Sequence, residues 1–340
     1  MKIPFSPPSI TEKEIKEVSD TIKSGWLTMG PKVLEFENEF AKHIGAPYCV
    51  SVSSCTAAMF LVLQSLAKKP KEVAIPSLTF TATAAVCVQS GIDIDFTDID
   101  PETFLMKRTK KLSIPVHYGG LFCQQQNVVL EDSAHRIVPK SFTGNPTCFS
   151  FFATKNMATG EGGMIATSSE KQTNWLSEAR LHGLSRDAWK RYGKEKVKMY
   201  RVDFPGWKFN LTDPAAAMGI VQLRRLPVLN AMRKKLANRY RDSLGGIDRE
   251  VDHLFVHLVS KRDKFIEYMR ANDVNCSIHF VPLHLQPAYK EYYKKLPVTE
   301  FVCRNIVSLP LFSSMTSSQV DYVCKLTGQW EKKYGKVTFP

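Results

Sequence analysis

The order of apolar segments predicts an α/β fold: a mostly parallel sheet flanked by helices, then a smaller α+β unit. Three observations carry this expectation. Short strand-length runs, YCVSV (48–52), EVAIP (72–76) and DIDFTDI (93–99), alternate with helix-like stretches at 55–67 and 81–90. Such alternation is the pattern of βαβ units. Four more runs follow at SIPVHY (113–118), NVVLED (127–132), TCFSFF (147–152) and GMIAT (163–167). Later the pattern changes, with strands at 251–259 and 276–281 and helices at 261–271 and 317–327.

Local signals fix the first helices. Thr11-Glu12-Lys13-Glu14 has the form of a capping box, and Ile15, Val18 and Ile22 follow at helical spacing up to Gly25. A second helix fits Pro31 to Ile44, with proline at its start and Gly45 just after it. Helices are also expected near 171–182, 213–225 and 228–243. The changed pattern of the last stretch suggests a boundary around 226–230, with a large unit over residues 1–228 and a small one over 229–340. One connection is odd: only eight residues separate Tyr118 from Asn127. A parallel crossover normally takes a dozen or more. Either these strands are not parallel neighbours or a connecting helix is missing.

Composition excludes several classes. The 340 residues are 44% hydrophobic and 23% charged, as in ordinary globular proteins. No apolar run reaches the roughly 20 residues of a membrane helix. The start, MKIPFSPPSI, is short and proline-rich for a signal peptide, so a cytosolic protein is expected. None of the eight cysteines forms a CxxC pair, which argues against a zinc site and for buried thiols. The net charge of +13 favours anionic partners, nucleic acid or a phosphorylated substrate among them. The basic run Lys107 to Lys111 has no interleaved aromatics and reads as a solvated loop.

Three segments carry chemistry. In SFFATKNMATGEGGMIAT, Lys155 sits between an apolar run and a glycine-rich turn. Partial desolvation there would lower its pKa and free its amine as a nucleophile. A solvated loop lysine would look the same. Asp132, in NVVLEDSAH, stands at the carboxyl end of a strand, where open α/β sheets bind ligands. It could pair with a pyridinium nitrogen, or it could simply cap the next turn. Ser53-Ser54-Cys55-Thr56 joins a strand to a helix, and helix N-terminal N–H groups bind phosphate. A plain N-cap is the other reading.

The ordered blocks SGWLTMGPKVLEFENEF, SVSSCTAAMFLVL, IPSLTFTATAAV, PVHYGG, VLEDSAH, FSFFATKNMATGEGG, GWKFNLTDPAAAMGIVQL, IHFVPLHLQPAY and SLPLF extend this reading. With them, the chain resembles the DegT/DnrJ/EryC1/StrS family of sugar aminotransferases from about Ile3 to Leu326. The resemblance implies the fold-type I architecture, pyridoxal 5'-phosphate as cofactor, and a homodimer with shared active sites. Lys155 matches the lysine that holds the cofactor, and Asp132 the acid facing its ring nitrogen. His135 matches the position beside the 3-hydroxyl, and Phe80 the aromatic on the ring face. Cys55, Thr56 and Ser150 match phosphate-binding positions, and Asn210 a phosphate contact from the neighbouring subunit. Trp26, Leu27 and Thr28 match the stretch lining the sugar-nucleotide site, and His284 a segment near the partner's substrate pocket.

The implied activity is transfer of an amino group from L-glutamate to a nucleotide-linked keto sugar. Dehydratases of the family commonly replace the lysine by histidine, so Lys155 argues for amination. A non-catalytic sugar-nucleotide-binding protein of the same fold is a further alternative. The resemblance adds no nucleic-acid or membrane partner and no metal. Three departures stand out. Many relatives read N-x-R where this chain has Lys208-Phe209-Asn210. The stretches after Phe104 and Cys123 are each short by about a helix, and residues 246–256 look abbreviated.

Overall fold

A computed structural model describes residues 2–184 and 201–339. Helix α1 (Glu12–Lys23) starts on the expected capping box, with Thr11 and Glu14 exchanging bonds. Helix α2 (Pro31–Ile44) leads into β1 (Tyr48–Val52), α3 (Cys55–Gln64), β2 (Glu72–Pro76), α4 (Thr81–Gln89) and β3 (Asp93–Thr97). Then come β4 (Glu131–Asp132), β5 (Thr147–Ser150), β6 (Gly163–Thr167) and α5 (Glu170–Ala179). Strands β1, β2, β5 and β6 are buried over most of their length, which favours apolar side chains on both faces, whereas β3 is buried only at alternate residues.

The pairings build one sheet in the order β3, β2, the segment 113–116, β4, β5, β6, β1. All neighbours are parallel up to β5, whereas β6 runs antiparallel to both β5 and β1. The segment 113–116 pairs only through isolated bridges, Ala74 with Ser113, Ser113 with Val128 and Val116 with Asp132. Pro115 has no N–H for the ladder, which interrupts a regular strand.

Those bridges resolve the odd connection. The two segments are parallel neighbours, and a one-turn 3-10 helix at Tyr118–Gly120 and an extended return link them. The paired stretch is so short that an extended chain covers the way back without a helix. Gly120 makes the turn possible. Its φ is 98°, and a Cβ there would lie 1.7 Å from the Val251 carbonyl oxygen.

The two helices expected at 213–225 and 228–243 are one helix, α6 (Asp213–Leu244), which continues through Pro227. Proline removes one helical hydrogen bond. Buried Leu223, Leu226 and Leu229 on either side keep the helix packed across the interruption. The division expected at residue 228 therefore falls inside a continuous helix that packs on α1 and α2. The remaining elements are β7 (Phe255–Leu258), α7 (Arg262–Ala271), α8 (Pro297–Asn305), β8 (Ile306–Leu309) and α9 (Ser317–Tyr334), which packs on the far part of α6. The strand expected at 276–281 is absent. Only Ser277 pairs with Ser308, and the partner of β7 is instead β8.

One carboxylate ties the start of α6 to α2. Asp213 accepts from the backbone N–H groups of Gly30 at 2.8 Å, Lys32 at 3.1 Å and Val33 at 3.0 Å. It serves as the cap that Gly30, lacking a side chain, cannot supply. Asp213→Ala leaves the buried Gly30 and Val33 N–H groups without a partner, so a loss of about 2–4 kcal/mol is expected in denaturant unfolding. Asp213→Asn, which keeps an acceptor, should lose less.

Candidate active site

A cavity of about 380 Å³ opens where the carboxyl ends of segment 113–116 and β4 meet the N-termini of α3 and α4. This is the position at which α/β sheets collect ligands. Cys55, Thr56, Phe80, Asp132, His135, Ser150 and Lys155 all line it. Residues scattered over a hundred positions of sequence thus share one wall-to-wall site.

The α3 end of the cavity is shaped by close packing. Ser54 caps α3, its hydroxyl accepting from the Ala57 N–H at 3.1 Å. Beneath it passes Gly163, the first residue of β6. A Cβ at Gly163 would lie 2.5 Å from the Ser54 carbonyl carbon and 2.7 Å from the Cys55 nitrogen. The helix terminus can lie this close to the strand only over glycine, which accounts for the end of the GEGG turn. Burial pushes the Cys55 thiol well above its ordinary pKa, so it stays neutral. The positive field at this end therefore comes from the helix N-terminus.

Lys155 sits in the loop between β5 and β6, its N–H bonded to the Phe152 carbonyl at 2.9 Å. Burial lowers its pKa from the ordinary lysine value, while the Asp132 charge acts in the opposite sense. The next residue is firmly held. Asn156 Oδ1 lies 2.7 Å from His253 Nδ1, and its carbonyl accepts from Arg233 at 3.0 Å.

Asp132 is buried, with Oδ2 accepting from Thr83 Oγ1 at 2.8 Å and Oδ1 from the Ala134 N–H at 3.1 Å. His135 Nδ1 accepts from the Gly119 N–H at 3.2 Å, which assigns the ring proton to Nε2. Burial, with Lys155 and His253 nearby, holds its pKa well below the usual histidine range. His279 also lines the cavity, and burial with Lys155 pushes it down to about 4. Phe80 is 60% exposed, unusual for a large apolar ring, and stands 6.0 Å from Phe280.

Other expected residues lie elsewhere. Asn210 does not line this cavity. Its Oδ1 accepts from Lys208, and its Nδ2 donates to the Leu211 carbonyl at 3.2 Å. Trp26, Leu27 and Thr28 also lie outside it, with Leu27 and Thr28 exposed. His284 is buried in its own chain, Nδ1 2.6 Å from Ser77 Oγ and Nε2 3.6 Å from Glu300. The structure does not bring it to this cavity. Sequence reasoning missed Thr83, His253 and His279. Thr83 and His279 lie inside segments already singled out, FTATAAV and IHFV. His253 gave no local signal.

The fold and site define a class: an α/β protein in which a half-buried lysine of lowered pKa shares a cavity with a buried aspartate and a helix N-terminus. The chain matches the DegT/DnrJ/EryC1/StrS aminotransferase family over residues 8–327 and belongs to it. It is 38% identical to the uncharacterised protein MJ1066 of Methanocaldococcus jannaschii, over 93% of this chain and 94% of that protein. It is 36% identical to the spore coat polysaccharide biosynthesis protein SpsC of Bacillus subtilis, over 94% of this chain and 95% of that one. Among solved structures, a Streptococcus pneumoniae protein described as a sugar aminotransferase, Spr1654, is similar in its PMP-form. It has a TM-score of 0.87 at 30% identity over 98% of both chains. Its PLP-form is similar too, with a TM-score of 0.86 at 29% identity over 98% of this chain and 99% of that one.

The depressed pKa has a measurable consequence. In the unliganded protein, Lys155 should react with an amine reagent at a lower pH than ordinary lysines, read by mass spectrometry of the labelled peptide. Asp132→Asn removes the negative charge that favours the ammonium. It should therefore move the labelling midpoint lower still, and a move upward would contradict this electrostatic account.

Proposed function

We propose that this chain is a pyridoxal 5'-phosphate-dependent aminotransferase that moves the amino group of L-glutamate to a nucleotide-linked keto sugar. A 4-keto-6-deoxyhexose is the first candidate. The observation that carries the reading is the shared cavity of Lys155 and Asp132 beside the α3 N-terminus. The donor set fits the cofactor. The cradle over Gly163 suits a phosphate, the open face of Phe80 suits an aromatic ring, and Asp132 offers an acceptor for a ring N–H. His135, protonated on Nε2, can donate to a ring hydroxyl. The PLP- and PMP-forms of the Spr1654 relative support the same cofactor, and the name of the B. subtilis relative supports a polysaccharide product.

When bound, the cofactor supplies an electron sink for carbon–hydrogen bond cleavage next to nitrogen. The protein's own residues do the rest. Lys155 Nζ, held less basic by burial, would act as general acid–base in each half-reaction, passing a proton between the reacting carbon of the donor or sugar and the cofactor. Asp132 keeps the ring nitrogen protonated, and Phe80 with the α3 terminus holds the reacting geometry. His135, His279 and Phe280 line one side of the cavity and would displace water there once the substrate is bound.

A homodimer with shared sites accounts for the residues outside the cavity. Asn210 and the His284 segment would serve the neighbouring subunit's site, while Trp26, Leu27 and Thr28 would line the sugar-nucleotide site. Lysine at position 155 favours amination over dehydration, and a purely binding role would leave the depressed lysine pKa without use.

Protein reconstituted with pyridoxal 5'-phosphate should show the visible absorbance of a lysine-bound cofactor, and Lys155→Ala should abolish it. Glutamate should convert the bound cofactor to its aminated form in a single half-reaction. Incubation with glutamate and a panel of nucleotide-linked keto sugars, read by mass spectrometry, should yield an amino sugar. Asp132→Asn should keep the absorbance while turnover falls roughly hundredfold, the scale of losing one preorganised charge contact.

A further inference from the structure

The hydroxyl of Thr83 behaves unlike that of an ordinary helical threonine. Thr83 is on the first turn of α4, completely buried, three residues after Phe80. A threonine there usually turns its hydroxyl back onto the carbonyl a turn earlier. Thr83 Oγ1 instead donates to Asp132 Oδ2 at 2.8 Å, across 49 positions of sequence. It also lies 3.1 Å from Thr79 Oγ1.

The direction of this chain follows from chemistry. An ionised carboxylate oxygen only accepts, and a hydroxyl has one proton to give. Thr83 therefore donates to Asp132, and the proton between the two threonines belongs to Thr79. Each donor polarises the next, which strengthens the bond delivered to the carboxylate. The other oxygen, Oδ1, accepts from the Ala134 N–H at 3.1 Å. Two donors from two separate elements thus set the plane of one carboxylate.

We infer that Thr83, polarised by Thr79, is a positioning residue that aims Asp132 at the ring nitrogen of the bound cofactor and so keeps that nitrogen protonated. This rests on the function proposed above. Without Thr83's hydroxyl, Asp132 Oδ2 loses its donor inside the protein and the carboxylate is free to turn about its side-chain torsion. A rotated carboxylate would meet the ring nitrogen poorly, and the electron sink would weaken while the cofactor stays bound.

The test uses the reconstituted enzyme carrying pyridoxal phosphate labelled with ¹⁵N in the ring. Thr83→Val matches the threonine in shape and removes only the hydroxyl, and Thr83→Ser keeps it. Thr83→Val is expected to shift the ring ¹⁵N resonance toward the unprotonated position and to lower kcat about tenfold, the usual effect of losing a hydrogen bond to a charged group. KM for glutamate should change less than twofold. Thr83→Ser should restore both the resonance and kcat, and Thr79→Val should show the same ¹⁵N shift in smaller degree.

A Thr83→Val enzyme that loads cofactor and matches wild type in resonance and kcat overturns the inference, leaving Thr83 as packing alone. A Thr83→Ser enzyme as impaired as Thr83→Val does so too. Where Thr83→Val fails to fold, Thr79→Val decides, and a wild-type resonance there overturns the chain. Wild-type protein that takes up no cofactor would remove the proposed function itself, an outcome distinct from all of these.

Discussion

The placing of an amine and a carboxylate in one cavity is the constraint around which the rest of the site is arranged. Asp132 is buried and Lys155 half-buried in that space, and a charge without a partner would be unfavourable there. Their attraction across the cavity offsets part of that cost. Glu161 adds a second carboxylate to the lining, while His135 and His279 in the walls and His253 behind them are held below their ordinary pKa by burial and by the lysine itself. A ring of neutral imidazoles can stand beside a cation where charged ones could not. The result is an amine made less basic without a neighbouring permanent cation in the cavity lining.

The scaffold serves that arrangement. Parallel pairing of segment 113–116 with β4 brings the PVHYGG turn beside Asp132, and the Gly119 N–H then selects the His135 tautomer. The antiparallel strand β6 returns Gly163 beneath the α3 terminus. Asp213 joins the long helix α6 to α2, and Arg233 on the same helix reaches the carbonyl of Asn156. The helix that spans the expected division at residue 228 is therefore also a mechanical support for the residue following Lys155.

Much of this was legible in the chain because it is local. Strand-length apolar runs, the capping box at Thr11, the strand-to-helix junction at Ser54 and the lysine before GEGG need only neighbours a few positions away. The failures are equally physical. Pro227 looks like a boundary, yet packing on both sides of it carries α6 through. CSIHFV has strand composition, but it meets β8 only at the Ser277–Ser308 bridge, and one bridge does not make a strand. The connection between Tyr118 and Asn127 looked too short because the length of the paired stretch cannot be read from composition.

The sequence by itself singled out candidates for the chemistry: a lysine in a turn, an aspartate at a strand end, a strand-to-helix junction at Ser54, and Phe80 through the family resemblance. It also determined the family, through the order of its motifs. Only the tertiary structure decided their company. Nothing local says that Thr83 meets Asp132, that His253 clamps Asn156, or that His284 turns into its own core rather than toward this cavity. Those outcomes depend on which elements pack together, and they are set by burial over the whole chain rather than by any one segment.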